Sequence, residues 1–182
     1  MNSRLKLINW VRQQHEGQLI KETDAPYFEH LLTVANTVAE CAPLTYEIGL
    51  CHDLLEKTEV KEPMLLTQLQ TFGYDEPQAQ HISNCILELT RHFTKANNPL
   101  PKKERKELED ERLTYISADA QTVKYADLAY NADWMMTHDR HHAGDYLQRQ
   151  LELVENMTEG NNELRSKVLT QLRELINERG EN

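Results

Sequence analysis

Apolar residues recur at helical spacing along nearly the whole chain, and the alternation typical of strands is almost absent. This pattern predicts an all-α fold, a single bundle of about nine helices. Only 6 Gly and 6 Pro interrupt the 182 residues, and 39% of the residues are hydrophobic, which is enough for one packed core. Because no repeat and no long linker divides the chain, we expect one domain over residues 1–182. The helices are expected at about 5–17, 27–41, 45–56, 61–72, 75–89, 102–112, 118–136, 144–157 and 161–178.

Charge and cysteine content narrow the class of function. The formal net charge of -10 argues against non-specific binding to nucleic acid or to acidic membranes, so an anionic small substrate would need local basic clusters. No apolar stretch approaches the roughly 20 residues of a membrane span, and residues 1–10 lack the apolar run of a signal peptide. The three cysteines, Cys41, Cys51 and Cys85, form no C-x-x-C pair. We therefore expect a cytoplasmic protein whose cysteines are reduced and buried.

One dipeptide, His52-Asp53, lies inside the apolar run 48–55. An ionised carboxylate there is costly unless a cation neutralises it. His30 at the start of one apolar helix and Asp127 in the middle of another stand in matching surroundings. The four residues are therefore predicted to bind one divalent metal ion. Two imidazoles and two carboxylates suit Mn(II) or Fe(II) better than a structural zinc ion, which favours thiolates.

The surroundings of these residues admit a second interpretation. A His-Asp dipeptide is often structural, and the chain has another, His138-Asp139, in a polar stretch that we interpret as a helix end or loop. If His52-Asp53 is also structural, the chain is a helical interaction module without metal. Helical spacing supports the metal site, because Glu56 falls one turn beyond His52 and Asp53, where a carboxylate can orient a water. On another helix Lys124 and Asn131 share a face with Asp127 by the same rule.

Three segments resemble the HD-domain metal-dependent phosphohydrolases, whose signature is H…HD…D. Residues 26–35, Pro-Tyr-Phe-Glu-His-Leu-Leu-Thr-Val-Ala, resemble the P-Y-x-x-H-P-x-x-V-A segment of RelA/SpoT-type alarmone hydrolases. Residues 52–58 resemble their H-D-x-x-E-D-T, and residues 124–131 resemble their K-x-A-D-x-x-x-N. Residues 100–106 and the ending Arg179-Gly180 are similar to the small stand-alone members. The resemblance spans nearly the whole chain.

The resemblance implies an all-helical fold around one Mn(II) ion and removal of the 3′-pyrophosphate from guanosine tetra- and pentaphosphate. His30, His52, Asp53 and Asp127 would then be the metal ligands, and Glu56 would handle the attacking water. The residues implied in binding a phosphorylated nucleotide are Lys21, Lys102, Lys124, Asn131, His142 and Tyr146. From the net charge we expect neither a nucleic-acid nor a membrane partner, and the oligomeric state is left open.

Three positions depart from the family pattern. Lys57 replaces the acidic residue that follows the family's glutamate, so it is a candidate catalytic residue that alters the handling of water or binds a phosphate. Ile20 precedes Lys21 where a basic pair is expected, and His142 stands where an arginine is expected. These departures leave two alternatives open. One is an HD-domain phosphatase acting on another nucleotide, such as NADPH or a nucleoside monophosphate, and the other is a nucleotide sensor that does not turn over.

Overall fold

The computed structural model of the chain describes residues 2–180. Within these residues the regular structure is entirely helical, apart from an isolated antiparallel bridge between Leu19 and Pro26. This confirms the predicted all-α fold. Ten helices are described, namely α1 Ser3–Gln14, α2 Tyr27–Val38, α3 Thr45–Cys51, α4 Leu54–Lys57, α5 Glu62–Phe72, α6 Glu76–Leu89, α7 Lys102–Leu113, α8 Ala118–His138, α9 Arg140–Asn156 and α10 Asn162–Gly180.

The helices fall into two compact units, the first ending at Thr90 and the second beginning at Arg91. The first unit therefore holds α1–α6 and the second holds α7–α10. The single domain predicted over residues 1–182 remains a prediction. In the described part of the chain, none of the helices combines the length and the apolar character needed to cross a bilayer.

The first unit is built around the short helix α3, all seven of whose residues are buried. It packs against α1, α2 and α6. Gly49 allows its closest approach to α2, because a Cβ built at this position would lie 3.0 Å from Ala35 Cα. The buried charge of Glu47 is compensated by Arg4, whose Nε donates to Glu47 Oε1 at 2.9 Å, and by the hydroxyl of Tyr74 at 3.2 Å. This packing fixes the position of α3, and hence of His52, which follows it directly.

The second unit is organised by the long helix α8, which contacts both α9 and α10. Gln121 Oε1 accepts hydrogen bonds from the backbone N–H groups of Glu159 and Gly160, at 2.8 and 3.2 Å. The buried Tyr125 hydroxyl donates to the Met157 carbonyl at 2.7 Å. These side chains of α8 hold the connection between α9 and α10 against the helix that carries Asp127.

Two helix boundaries differ from the sequence prediction. The predicted third helix is divided, because α3 ends at Cys51 and α4 begins at Leu54, and His52-Asp53 lies in the break. Asp53 has φ -101° and ψ 2°, outside the helical region. The second difference is α9, which begins at Arg140 rather than near Gly144. His138 thus ends α8, as the prediction of a helix end implied, but the residues from Arg140 onward are helical.

Candidate metal centre

Three side chains of the first unit converge in the break between α3 and α4. The candidate ligand atoms of His30, His52 and Asp53 all lie within 4.8 Å of one another. His30 Nε2 is 3.2 Å from His52 Nε2, and His52 Nε2 is 3.6 Å from Asp53 Oδ2. Both histidines are buried. The structure therefore brings together three of the four predicted metal ligands.

The hydrogen bonding of His52 shows that this arrangement fits a cation. His52 Nδ1 lies 2.7 Å from the carbonyl oxygen of Gly49, which can only accept, so Nδ1 carries the proton in the neutral ring. Nε2 is then left with a lone pair that faces the second imidazole and the carboxylate. Three electron-pair donors in a largely buried place are stabilised by a metal ion. The backbone carbonyl also fixes the ring orientation, as is usual for metal-binding histidines.

Asp127, the fourth predicted ligand, lies buried on α8 in the second unit. Its Oδ2 accepts a hydrogen bond from Lys124 Nζ at 2.8 Å, and its Oδ1 accepts one from Asn131 Nδ2 at 2.7 Å. Lys124, Asp127 and Asn131 therefore share one face of α8, as their spacing predicted. Tyr146 lies on α9. Burial raises the pKa of its hydroxyl above the ordinary value, and the negative charge of nearby Asp127 raises it further. The role of Asp127 as a ligand remains a prediction.

The other predicted site residues are more exposed. Glu56 and Lys57 are exposed on α4, and Lys57 Nζ lies 5.4 Å from the ring centroid of Tyr27. Lys21 is exposed, with Nζ 3.9 Å from Glu22 Oε1. His142 is exposed, with Nδ1 2.8 Å from Asp139 Oδ1. These geometries do not test the predicted roles, which remain predictions.

Sequence reasoning did not assign a role to Tyr27, although it lies in the segment that resembles the alarmone hydrolases. Its hydroxyl donates a short hydrogen bond to Asp53 Oδ2. Its ring stacks on buried His15, with centroids 5.6 Å apart and planes at 27°, and it contacts His30 at 5.4 Å. An aromatic residue at the start of a helix reads as a core residue, so only the motif itself could have drawn attention to it.

Sequence reasoning also missed a basic cavity of about 310 Å³ in the second unit. Its lining includes Lys102, which the motif resemblance had marked, and five further cations, Arg91, Lys95, Arg105, Lys106 and Arg149. Partial burial, and then the charges of Arg149 and Lys102, lower the pKa of Lys106. We name this feature the basic cavity. It is the kind of local basic cluster that a chain of net charge -10 needs for an anionic ligand.

The acidic residue Glu109 in the same wall does not cancel these charges. Its Oε2 accepts hydrogen bonds from the backbone N–H groups of His92 and Phe93, at 3.0 Å each, and its Oε1 accepts from Arg112. Burial opposes ionisation, but the bonds from Arg112 and the backbone prevail and lower the pKa of Glu109. Its charge is thus held by groups of its own. Arg149 is in turn paired with Asp110, so the positive charge of the cavity comes from its other five cations.

The cluster of His30, His52 and Asp53 and the aspartate on a later helix follow the H…HD…D order of the HD-domain phosphohydrolases. No protein-family model matches the chain. It is 30% identical over 132 residues to guanosine-3′,5′-bis(diphosphate) 3′-pyrophosphohydrolase MESH1 of Xenopus tropicalis. This match covers 70% of the chain and 66% of that relative, just under two thirds of its length.

The fold gives a second comparison. The solved structure of a metazoan orthologue of SpoT, described as hydrolysing ppGpp and acting in starvation responses, superposes with a TM-score of 0.77. The superposition covers 99% of this chain and 97% of that one, at 20% sequence identity. It therefore shows that the two chains share a fold. The predicted resemblance is confirmed: the chain is similar in sequence to a curated guanosine-3′,5′-bis(diphosphate) 3′-pyrophosphohydrolase and in fold to the solved SpoT orthologue.

Proposed function

We propose that this chain is a metal-dependent phosphohydrolase that removes the 3′-pyrophosphate from guanosine tetraphosphate and pentaphosphate. The observation that carries the proposal is the cluster of His30, His52 and Asp53. The substrate is supported by the curated relative, which is named as a 3′-pyrophosphohydrolase of guanosine-3′,5′-bis(diphosphate). The proposed place of action is the cytoplasm, which suits a chain of three cysteines without a C-x-x-C pair.

The proposed cofactor is one Mn(II) ion held by His30, His52, Asp53 and Asp127. Two imidazoles and two carboxylates leave open positions in an octahedral ion, and this mixture suits Mn(II) or Fe(II). When bound, the ion supplies Lewis acidity and lowers the pKa of a coordinated water. The protein contributes a fixed His52 ring and a buried His30, so the ligands need little rearrangement to bind it.

The hydrolysis adds water across the bond between the 3′ oxygen and the adjacent phosphorus. In our proposal Glu56 accepts the proton of the attacking water while the phosphorus–oxygen bond breaks, and the 3′ oxygen gains a proton. Its exposed position in the first turn of α4, three residues after Asp53, supports this role. Lys57 would neutralise charge on the phosphates, as an ammonium group can do without being a ligand.

The basic cavity is the proposed binding place for the phosphates of the nucleotide. Arg149 is paired with Asp110, and the other five cations answer the charge of a polyphosphate. Lys102 stands at the N-terminus of α7, where the helix dipole also favours an anion. Lys124, Asn131 and Tyr146, which surround Asp127, and the exposed Lys21 and His142 remain the other proposed substrate contacts.

The decisive experiment is a turnover screen of nucleotide phosphates with purified protein and Mn(II), in which phosphate and pyrophosphate release are read separately. We expect pyrophosphate from guanosine tetraphosphate, loss of activity with chelator, and none with Asp53→Ala. Phosphate release from NADPH or a nucleoside monophosphate would instead identify the alternative phosphatase. Binding of Mn(II) and nucleotide without turnover would identify the sensor, and absence of metal binding would identify the interaction module.

The basic cavity offers a matched pair of variants for the substrate assignment. Lys102→Ala removes a cation of the cavity, whereas Lys103→Ala removes an exposed neighbour whose Nζ lies 3.8 Å from Glu107 Oε1. Because a hydrogen bond to a charged group contributes about 1.5–3 kcal/mol, Lys102→Ala should raise KM by about 10- to 100-fold. Lys103→Ala should leave KM unchanged. Equal KM values for both variants would exclude the cavity as the phosphate site.

A further inference from the structure

The carboxylate of Asp53 is hydrogen-bonded by Tyr27. Asp53 lies in the break between α3 and α4 with non-helical backbone angles, so regular helix geometry does not fix its side chain. Its Oδ2 accepts the hydroxyl proton of Tyr27. A hydrogen bond of this kind to a metal-binding carboxylate restricts the carboxylate's rotation and lowers the entropy lost when a metal binds.

Tyr27 is itself held from several sides. Its backbone N–H donates to the carbonyl of Gln18 at 2.8 Å. Its ring stacks on His15, contacts His30 and carries the Lys57 ammonium group 5.4 Å from its centroid. The hydroxyl group therefore cannot move away from Asp53 without disturbing these contacts, of which the stacked ring of His15 is one.

The orientation of His15 follows from its own hydrogen bonds. Gln18 Nε2 donates to the carbonyl of Lys57 at 2.8 Å, which turns Gln18 Oε1 towards His15 Nδ1 at 2.9 Å. Since Oε1 only accepts, Nδ1 carries the proton and Nε2 carries a lone pair. Nε2 is buried and has no hydrogen-bond partner among the described residues. A buried acceptor without a donor costs about 1–3 kcal/mol, so simple packing would be served better by an apolar side chain.

We propose that Tyr27 and His15 are positioning residues of the metal centre. Tyr27 orients the Asp53 carboxylate through its hydroxyl, and His15, anchored by Gln18, holds the ring of Tyr27 in place. The neutral His15 ring adds no positive charge beside the ligands, where a cation would compete with the metal. This inference rests on the metal centre of the proposed function, but it predicts metal affinity rather than turnover.

The test is the equilibrium binding of Mn(II) to metal-free protein, measured by calorimetry. Tyr27→Phe removes only the hydroxyl oxygen, and loss of such a partner typically weakens metal binding by about 10- to 100-fold. Tyr74→Phe is the matched control, because Tyr74 also donates its hydroxyl to a carboxylate of the same unit, that of Glu47 at 3.2 Å. It should bind Mn(II) as the wild type does, even if its melting temperature falls.

His15→Leu tests the proposed role of His15 in holding the ring of Tyr27. It should weaken Mn(II) binding about 10-fold, and the Co(II)-substituted protein should show an altered visible spectrum, because the ligand geometry around the ion changes. If wild type and Tyr27→Phe bind Mn(II) within twofold of each other, or if Tyr74→Phe is weakened equally, the positioning role of Tyr27 is wrong. If His15→Leu leaves the Mn(II) affinity and the Co(II) spectrum unchanged, His15 is not a positioning residue. A wild type that binds no divalent metal would overturn the metal centre itself.

Discussion

Replacing Gly49 by alanine should separate α2 from α3 and loosen the metal centre. The new Cβ would lie 3.0 Å from Ala35 Cα, 3.2 Å from Ala35 N and 3.1 Å from Val38 Cγ2, whereas ordinary contact is 3.4–4 Å. Two of these atoms belong to the backbone of α2, so they cannot swing aside and the helices must move apart by several tenths of an ångström. Such overpacking costs about 1–3 kcal/mol.

A second helical glycine provides the control. Gly144 on α9 would meet mainly the guanidinium of Arg179, the flexible end of an exposed side chain. Both substitutions gain about 1 kcal/mol of helix propensity. Gly144→Ala should therefore be neutral or stabilising, and Gly49→Ala should be less stable than Gly144→Ala by about 1–3 kcal/mol. For a chain of this size that difference corresponds to roughly 2–12 °C in the melting temperature.

The metal centre supplies the second readout. Gly49 presents its carbonyl to His52 Nδ1, and the α2–α3 contact sets the 3.2 Å distance between His30 Nε2 and His52 Nε2. Gly49→Ala should therefore weaken Mn(II) binding measured by calorimetry, whereas Gly144→Ala should leave it unchanged. If Gly49→Ala melts no lower than Gly144→Ala and binds Mn(II) normally, the close approach of α3 to α2 does not position the ligands.

Three further predictions concern proton transfer, charge and pH. Glu56→Gln should lower kcat by about 10²- to 10⁴-fold with unchanged Mn(II) affinity, as expected for a lost general base, and steady-state kinetics that match the wild type would leave Glu56 as a solvated helix residue. Lys57→Asp should raise KM for guanosine tetraphosphate about 10-fold if the ammonium group binds phosphate; a raised kcat would instead show that Lys57 impairs hydrolysis, and no change in either would leave it a surface residue. Burial, opposed by the Gln18 hydrogen bond and the charge of Asp53, lowers the pKa of His15, while His52 and Lys57 lower it further. The folded state thus disfavours the protonated ring. The neutral His15 ring therefore contributes fully to stability above the unfolded pKa of about 6.5, and this contribution is lost as the pH falls towards the lower pKa of the folded state. The metal-free wild type should lose melting temperature more steeply below pH 6.5 than His15→Leu, and parallel melting curves for the two would contradict the assignment.

Hydrophobic periodicity predicted the helices well because it follows directly from burial of one helix face. It could not predict the break at His52-Asp53, since residues 48–55 are continuously apolar apart from that pair. The break goes with a local hydrogen bond, from the His52 ring to the Gly49 carbonyl, which periodicity does not register. The start of α9 at Arg140 was missed for the opposite reason, because the polar residues before Ala143 offer no apolar pattern.

The basic cavity shows why some site residues could not be predicted. Its cations come from the segment after Thr90, from α7 and from Arg149 on α9. Lys102, Arg105 and Lys106 share one face of α7 at helical spacing. Arg91, Lys95 and Arg149 lie outside that pattern, and each cation taken alone reads as a solvated surface residue. Only the resemblance to the alarmone hydrolases singled out Lys102. The cavity is therefore a property of tertiary packing, which gathers charges that the chain has spread over about 60 residues.

A residue can be recognised from sequence when its chemistry conflicts with its surroundings. His52 and Asp53 in an apolar run are such a conflict, whereas Tyr27 and His15 agree with an ordinary helical core and go unnoticed. Conflict alone would also select Glu47, a carboxylate in the fully buried helix α3. There the conflict is resolved internally, because Arg4 and Tyr74 satisfy the carboxylate. The decisive difference is the hydrogen bonding of the neighbouring groups. His52 donates its ring proton to a carbonyl, so the lone pair of its Nε2 faces the Nε2 atom of His30. Two nitrogen lone pairs that face each other are stabilised only by a proton or a metal ion between them.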